Sequence, residues 1–144
     1  MTINERIVKW NDERQLIKTP EEIDMMKEIS FFIEECIEMV TDLKSEEARE
    51  WAERIAKEIM AKSTGFNKEK ILDGACDANV FGGGLIRKLG YNPDIAMDET
   101  LKEIESRVGS IQDGKFVKDK SPEAQANWYK ADYSKAEIYE RRTD

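Results

Sequence analysis

Apolar residues recur three or four positions apart along most of this 144-residue chain, and this spacing predicts α-helices. Polar or proline-containing segments that suit helix starts precede most of the periodic stretches. Signals typical of β-strands are nearly absent. The sequence therefore predicts an all-α fold. The expected helices cover approximately residues 3–18, 20–42, 46–62, 68–89 and 93–107, with starts at Thr19–Pro20, Ser45, Asn67 and Asn92–Pro93.

The pattern weakens after the last of these helices. Asp113–Gly114 has the composition of a tight turn, and Phe116 and Val117 are expected to form a short extended piece. Residues 123–140 are predicted to be a short helix or an ordered tail, because they contain much aromatic surface: Trp128, Tyr129, Tyr133 and Tyr139. We expect one domain over residues 1–144, with a core at about 1–108 and a C-terminal arm at about 109–144.

The charge composition excludes several classes of protein. The net charge of −8 argues against a basic nucleic-acid-binding face, and no apolar run approaches the roughly 20 residues of a membrane span. The N-terminal stretch lacks the apolar region of a signal peptide. With Cys36 and Cys76 as the only cysteines, we expect reduced thiols and a cytoplasmic location. The absence of histidine excludes catalysis by a Ser-His-Asp or Cys-His site.

Two helices carry closely spaced carboxylates among apolar residues. In the stretch FFIEECIEMV, Glu35 and Glu38 are three residues apart, and Glu34 precedes them. Asp73 and Asp77 are four residues apart on a later helix. Carboxylates at these spacings are neighbours on the helix surface and repel one another. Facing pairs on two helices of a bundle would hold one or two hard cations, Mg²⁺ above all, with Mn²⁺ and Ca²⁺ as alternatives.

Each acid pair also has a simpler explanation, because most carboxylates on helices line a solvated edge. The lack of any basic residue between positions 28 and 43 is what favours a functional interpretation of the first pair. A helical interaction protein, in which these acidic residues only line the exposed surface of a bundle, therefore remains an alternative. A di-iron bundle is disfavoured, because the chain lacks the histidines of that site.

Taken together, EECIE and the later DGACDANVFGGGLIRKLGYNPD resemble the MazG-like, all-α nucleotide pyrophosphohydrolases. The segments VKWNDERQLI and DETLKEIESRVGSIQDGKFVKDKS resemble further parts of that family, and YKADYSK resembles an ending of bacteriophage-encoded members. The resemblance implies a bundle of four to five helices, assembled as a homodimer or homotetramer. It also implies Mg²⁺-dependent hydrolysis of the α–β phosphate bond of a nucleoside triphosphate, giving the monophosphate and pyrophosphate.

The resemblance assigns roles to individual acids. Glu35 and Glu38 match the first metal-binding pair, and Asp77 matches the final aspartate. Asp73 takes the place of the remaining acid, whereas the position three before Asp77 is Gly74 rather than the commoner glutamate. Glu34 is expected to be a further ligand or the base that orients the attacking water.

Basic and aromatic residues are the predicted substrate contacts. Arg107 stands where the family has a lysine, and with three downstream lysines it forms a positive cluster suited to triphosphate oxygens. Aromatic and amide side chains are candidates for base contacts, although each is also a plausible core residue. The predicted substrate-binding set is Arg107, Lys115, Lys118, Lys120, Trp10 and Asn11, with Phe81 and Trp128 as further stacking candidates.

The triplet Gly82–Gly84 is unusual inside a predicted helix, where each glycine costs about 1 kcal/mol relative to alanine. A Walker-type phosphate loop is excluded, because the triplet does not follow a strand and no Gly-Lys-Ser/Thr sequence follows it. The remaining alternatives are a helix break, space for a substrate, or close approach of another helix, either within the subunit or across a dimer interface.

Overall fold

A computed structural model describes residues 1–138. Along the chain it contains helices α1 (Ile3–Glu13), α2 (Met25–Val40), α3 (Ser45–Ala61), α4 (Lys68–Lys88), α5 (Pro93–Glu105) and α6 (Pro122–Ala126). Strands β1 (Gly109–Gln112) and β2 (Lys115–Lys118) form one small antiparallel sheet, and 3₁₀ turns cover Pro20–Glu22 and Tyr133–Ala136. The predicted all-α class is confirmed. The chain divides into two compact units: Lys18–Glu69 forms one, and the segments on either side of it form the other.

Several helix boundaries follow the sequence signals closely. The side chain of Asn92 accepts hydrogen bonds from the backbone N–H groups of Asp94 and Ile95, and Pro93 occupies the first helical position of α5. At the end of α4, Gly90 has a φ of +94°, a conformation that glycine adopts without steric cost. Of the alternatives for the Gly82–Gly84 triplet, a helix break does not occur, because α4 continues to Lys88.

The predicted start of α2 is wrong by about five residues. The Thr19 hydroxyl donates to the carboxylate of Glu22 and caps no helix, so Pro20 opens only a 3₁₀ turn. The true N-cap is Asp24, whose carboxylate accepts a hydrogen bond from the backbone N–H of Lys27 at 3.2 Å. The first helix is also shorter than predicted: it ends at Glu13, and Gln15 has a φ of +56°.

The unit Lys18–Glu69 is built on the packing of α2 against α3. Residues 41–44 connect these helices, and so short a connection makes them antiparallel neighbours. Three alanines one turn apart on α3, Ala48, Ala52 and Ala56, are fully buried. Ala48 and Ala52 pack with Ile37 of α2, and Ile33 and Ile55 lie at the edge of the same cluster. Small side chains on α3 allow this close contact between the two helices.

In the other unit, α5 contacts both ends of the chain. Arg6 of α1 forms ion pairs with Asp98 at 2.6 Å and Glu105 at 3.1 Å. The segment after α6 returns to α5: the backbone N–H of Asn92 donates to the carbonyl of Ala136, and Tyr91 pairs with Glu137 in an isolated β-bridge. The arm as far as residue 138 therefore packs against the start and side of α5.

The sheet explains the extended piece expected near Phe116. Asp113 and Gly114 have positive φ values, +51° and +75°, and form its two-residue turn. At the far end, Gly109 faces Lys118, and a Cβ at Gly109 would collide with the backbone of Val117. This site admits no side chain.

In the C-terminal region, α6 covers only the start of the segment predicted over 123–140. Tyr139 and the final part of that prediction lie outside the described residues. Among residues 1–138, no helix is both long enough and apolar enough to cross a membrane.

Candidate functional site

Three of the four glutamates of α2, Glu34, Glu35 and Glu38, differ in burial. Glu35 is exposed and Glu38 is partly buried, so both carboxylates stand at the surface of their unit. Glu34 is only 6% exposed and forms an ion pair with Arg49 of α3, with Nε and Oε1 3.4 Å apart. The burial of Glu34 follows from its spacing with Ser30 and Ile37 on the face that packs against α3. Its contact holds α2 and α3 together, and its catalytic role stays a prediction.

Asp73 and Asp77 are both exposed, one helical turn apart on α4. Their helix buries none of its residues. The pair Glu35–Glu38 belongs to the unit Lys18–Glu69, whereas Asp73–Asp77 belongs to the other unit. Within residues 1–138, no three Cys, Asp or Glu side chains come together in an arrangement that could hold a metal ion. The structure thus shows one pair of carboxylates on α2 and another on α4, each within its own unit.

Two of the predicted basic residues converge on one indole ring. The Arg107 guanidinium lies 5.4 Å from the centre of the Trp128 ring, and the Lys118 ammonium lies 5.7 Å from it. Arg107 also contacts the Glu103 carboxylate at 3.4 Å. Cations over an aromatic face are attracted by the negative charge of its π system. Trp128 therefore fixes the positions of two positive charges on the surface of its unit.

A second cluster of the same kind joins α1 to the sheet. The rings of Trp10 and Phe116 meet edge to face at 5.3 Å, and the Arg14 guanidinium lies over both. Phe116 and Lys118 are two residues apart on β2, so they share one face of the strand. Because of this alternation, the two clusters form one row along β2. We call it the cation–aromatic row; it consists of Arg14, Trp10, Phe116, Lys118, Trp128 and Arg107.

Four N–H groups of this row are buried without a hydrogen-bond partner in the described part of the chain: Trp10 Nε1, Arg14 Nε, Arg107 Nε and Trp128 Nε1. A buried polar group without a partner costs about 1–3 kcal/mol, so four in one region require an explanation. All four groups are hydrogen-bond donors, and the row also carries the positive charges of Arg14, Arg107 and Lys118. The row is chemically suited to an anion that brings acceptor oxygens.

A cavity of about 270 Å³ adjoins the row between α1 and α5. Arg6, Lys9, Trp10 and Arg14 line it from α1, and Glu105 lines it from α5. Hydrogen bonds to Glu105 and Asp98 raise the pKa of Arg6 above its ordinary value, so this guanidinium stays charged. Asp98 has a lowered pKa for the same reason, because Arg6 and Lys102 both donate to it. The cavity thus combines an indole ring with charges of both signs.

The other predicted substrate contacts are more dispersed. The Asn11 amide donates to the Ile7 carbonyl on its own helix at 2.8 Å. Lys115 opens β2, and Lys120 follows the sheet as an exposed side chain. Phe81 lies on α4, where it is 77% exposed. The structure therefore brings Trp10, Arg107, Lys118 and Trp128 into one row, and it adds Arg14 and Phe116, which sequence reasoning missed. Arg14 and Phe116 are more than 100 residues apart in the chain, so no local sequence pattern could indicate that they meet.

A buried carboxylate that the sequence did not reveal anchors the arm. Glu99 of α5 is 1% exposed and accepts hydrogen bonds from the Tyr129 hydroxyl at 2.5 Å, the Lys102 ammonium at 2.9 Å and the Asp132 backbone N–H at 3.0 Å. The bond from Tyr129 is the largest of the influences that lower the pKa of Glu99 from 4.5 to about 2. Glu99 is thus ionised and fully engaged in holding the arm.

In comparisons with known proteins, no family model, no curated protein and no solved structure matches the chain.

Proposed function

We propose that the chain is a Mg²⁺-dependent nucleoside triphosphate pyrophosphohydrolase with the helical-bundle architecture that its motifs resemble. The observation that carries the proposal is the presence of two surface carboxylate pairs, Glu35–Glu38 and Asp73–Asp77, each one turn apart on its own helix. The cation–aromatic row supports it, because it offers positive charge and unused donors to a polyphosphate. The reaction adds water to phosphorus and breaks the α–β bridging bond, releasing a monophosphate and pyrophosphate.

The acid pairs suit Mg²⁺ better than a metal held entirely by protein. Mg²⁺ keeps several waters and is commonly bound through one or two carboxylates together with substrate phosphates. A pair of carboxylates is therefore a sufficient protein contribution. Glu35 and Glu38 would hold one ion, and Asp73 and Asp77 would hold another; Mn²⁺ has the same preferences. When bound, such ions neutralise phosphate charge and make a coordinated water more acidic.

Side chains of the chain itself bind and orient the substrate in this proposal. The Arg107 guanidinium presents several donors in a plane that matches phosphate oxygens, and Lys118 supplies a compact positive charge beside it. Trp128 keeps both cations in place. Trp10 lines the neighbouring cavity, whose size and mixed polarity suit a nucleobase or sugar. Glu34 is engaged with Arg49, so its proposed contribution is to keep α2 in position.

The direct test is pyrophosphate release from a panel of canonical and modified ribo- and deoxyribonucleoside triphosphates in the presence of Mg²⁺. The double variants Glu35→Gln/Glu38→Gln and Asp73→Asn/Asp77→Asn should each lower kcat by 100-fold or more, on the order expected for lost metal charge. A matched control, Glu53→Gln/Glu58→Gln on α3, changes exposed acids outside both pairs and should keep full activity.

A second readout separates metal binding from turnover. Mg²⁺ should raise the Tm of the unchanged chain and of the α3 control, but less so in the two acid-pair variants. No pyrophosphate from any nucleotide, together with no Mg²⁺-dependent rise in Tm, would refute the enzyme proposal.

The alternative function is that of a helical interaction or regulatory protein without catalysis. It is favoured by α4, a helix of 21 residues that buries none of them and exposes Leu72, Val80 and Phe81. The same nucleotide panel distinguishes the two, because an interaction protein of this kind would release no pyrophosphate whether Mg²⁺ is present or absent.

A further inference from the structure

The cavity between α1 and α5 shares two side chains, Trp10 and Arg14, with the cation–aromatic row. Its volume of about 270 Å³ lies just below the roughly 300–1,000 Å³ that is common for small-molecule sites. A base with its sugar is the largest part of a nucleotide that such a space accommodates. The phosphates of a nucleotide bound there therefore lie outside the cavity.

The carboxylates that line the cavity already have cationic partners, whereas one of its arginines has none. Glu105 pairs with Arg6 at 3.1 Å, and Glu13 pairs with Lys9 at 3.7 Å. Arg14 lines the same cavity, and within residues 1–138 it forms no ion pair with a carboxylate. Acidic residues outnumber basic ones in this chain by 31 to 23, so an arginine without an acidic partner is unexpected. Its charge is available to an anionic ligand.

Two aromatic rings and one hydrogen bond fix the guanidinium of Arg14. It lies 4.3 Å from the centre of the Trp10 ring and 4.9 Å from that of Phe116. Its Nη1 donates to the Trp10 carbonyl at 3.2 Å, and its Nε is buried without a partner in the described part of the chain. A guanidinium held in this way loses little conformational freedom when it binds phosphate oxygens. Arg14 is thus a preorganised cation with donors left for a ligand.

Strand β2 leads from Arg14 to a second group of cations. Arg14 lies over Phe116, and Lys118 follows two residues later on the same face, roughly 7 Å along the strand. Lys118 and Arg107 both lie beside the Trp128 ring. A single phosphate group is smaller than this separation, whereas a triphosphate chain is long enough to span it. Phosphates that leave the cavity at Arg14 therefore meet Arg107 and Lys118 next.

We propose that Arg14 binds the phosphate next to the sugar, while Arg107 and Lys118 bind the two terminal phosphates. The inference rests on the proposed function and adds a residue and an orientation to it: base and sugar lie in the cavity, and the polyphosphate follows β2. The α–β bond that breaks lies between the two groups of cations. After hydrolysis the monophosphate remains at Arg14, and the pyrophosphate remains at Arg107 and Lys118.

The charges of the cavity favour this orientation over the reverse one. Terminal phosphates placed inside the cavity would bring the most highly charged part of the nucleotide beside Glu13 and Glu105. Like charges at such short range repel one another. The indole of Trp10 offers an aromatic surface to a base instead.

The test measures the affinities of the two product groups separately, in EDTA so that no metal ion contributes. The ligands are a panel of nucleoside monophosphates and inorganic pyrophosphate. Intrinsic fluorescence reports binding, because Trp10 and Trp128 belong to the row and Trp51→Phe removes the third tryptophan. Excitation at the red edge of indole absorption avoids absorption by the nucleotides.

Two arginine variants should affect the two ligands in opposite ways. Arg14→Met keeps an unbranched side chain over the rings but removes the charge. It should weaken monophosphate binding about 10- to 100-fold, as expected for a lost hydrogen bond between charged groups, and change pyrophosphate affinity by less than about twofold. Arg107→Met should show the reverse pattern. The control Lys130→Met removes an exposed positive charge of the arm outside the row and should leave both affinities unchanged.

A second variant guards against loss of folding. Arg14→Lys keeps the charge but lacks the planar fork, so it should show the same selectivity with a smaller loss. It decides the question if circular dichroism shows that Arg14→Met is less stable than the unchanged chain.

Three results would overturn the inference: equal losses for both ligands in the two arginine variants, undiminished monophosphate binding without the Arg14 guanidinium, or no binding of either product to the unchanged chain. Failure of the proposed function gives a different result. Selective losses at Arg14 and Arg107, together with no pyrophosphate release from any triphosphate, would refute the reaction and support the two-part site. Hydrolysis of a triphosphate with an unchanged KM in Arg14→Met would refute the role of Arg14 alone.

Discussion

Helices α3 and α4 are of similar length and carry small residues at the same spacing, yet they have opposite environments. Ala48, Ala52 and Ala56 of α3 are fully buried, and the first two pack against Ile37 of α2. Gly74, Ala78 and Gly82 of α4 also recur every four residues, but α4 buries nothing. A stripe of small residues thus specifies only that a close neighbour is tolerated. Whether the neighbour lies within the chain depends on the connection: four residues separate α3 from a complementary helix that can fold back on it.

The largest effect on stability is expected where the small residue is already in contact. Ala52→Leu would force additional carbon atoms into the α2–α3 contact and should lower the free energy of unfolding by about 3 kcal/mol. The matched change Cys76→Leu, at an exposed position of α4, should alter the free energy of unfolding by less than about 0.5 kcal/mol. Urea unfolding monitored by circular dichroism measures both. Equal losses in the two variants would mean that α4 is as tightly packed as α3.

An intermediate effect, dependent on pH, is expected from Glu99, which anchors the arm through polar contacts rather than small residues. Because the folded pKa of about 2 is below the ordinary 4.5, the carboxylate contributes its full stabilisation above about pH 5 and loses it as the pH falls towards 2. Glu99→Gln should therefore have a lower Tm than the unchanged chain near neutral pH, with a difference that shrinks steadily below pH 4.5.

Thermal unfolding of both chains from pH 7 to pH 2 measures this difference. Glu123→Gln, an exposed acid on α6, serves as the control and should follow the unchanged chain throughout. A Tm difference for Glu99→Gln that is constant over the whole range would contradict the account of Glu99 as an ionised anchor.

The smallest effect is expected at Gly83, and it has the opposite sign. Nothing lies within 4 Å of a Cβ at this position. Gly83→Ala should stabilise α4 by up to about 1 kcal/mol through helix propensity alone. Urea unfolding measures this change. Destabilisation would reveal a close contact at Gly83 and make α4 more like α3 than the structure indicates.

Local sequence signals predicted much of the fold. Asn92–Pro93, Gly90 and Asp113–Gly114 each act through their own backbone, so the start of α5, the end of α4 and the turn of the hairpin could be placed correctly. Thr19–Pro20 was misleading because two capping residues, Thr19 and Asp24, lie close together. Which of them begins a helix depends on where the buried face of α2 starts.

For the candidate site, the sequence revealed which carboxylates are paired on one helix, and the structure separated them by environment. The spacing of Glu34, Glu35 and Glu38 places them close together, but only contact with α3 decides that Glu34 is buried beside Arg49. Likewise, Arg107 and Lys118 were recognised as basic residues near each other in sequence, whereas Arg14 and Phe116 entered the row only through packing of α1 on the sheet.

The sequence by itself determined the all-α class, most helix boundaries, the spacing of the acid pairs and the unusual glycines of α4, because these properties depend on neighbours within a few residues. Only the tertiary structure decided that Glu99 is a buried anchor and that the cation–aromatic row exists. The physical reason is that burial and ion pairing depend on residues distant in the chain, such as Glu99 and Tyr129, whose meeting no local pattern encodes.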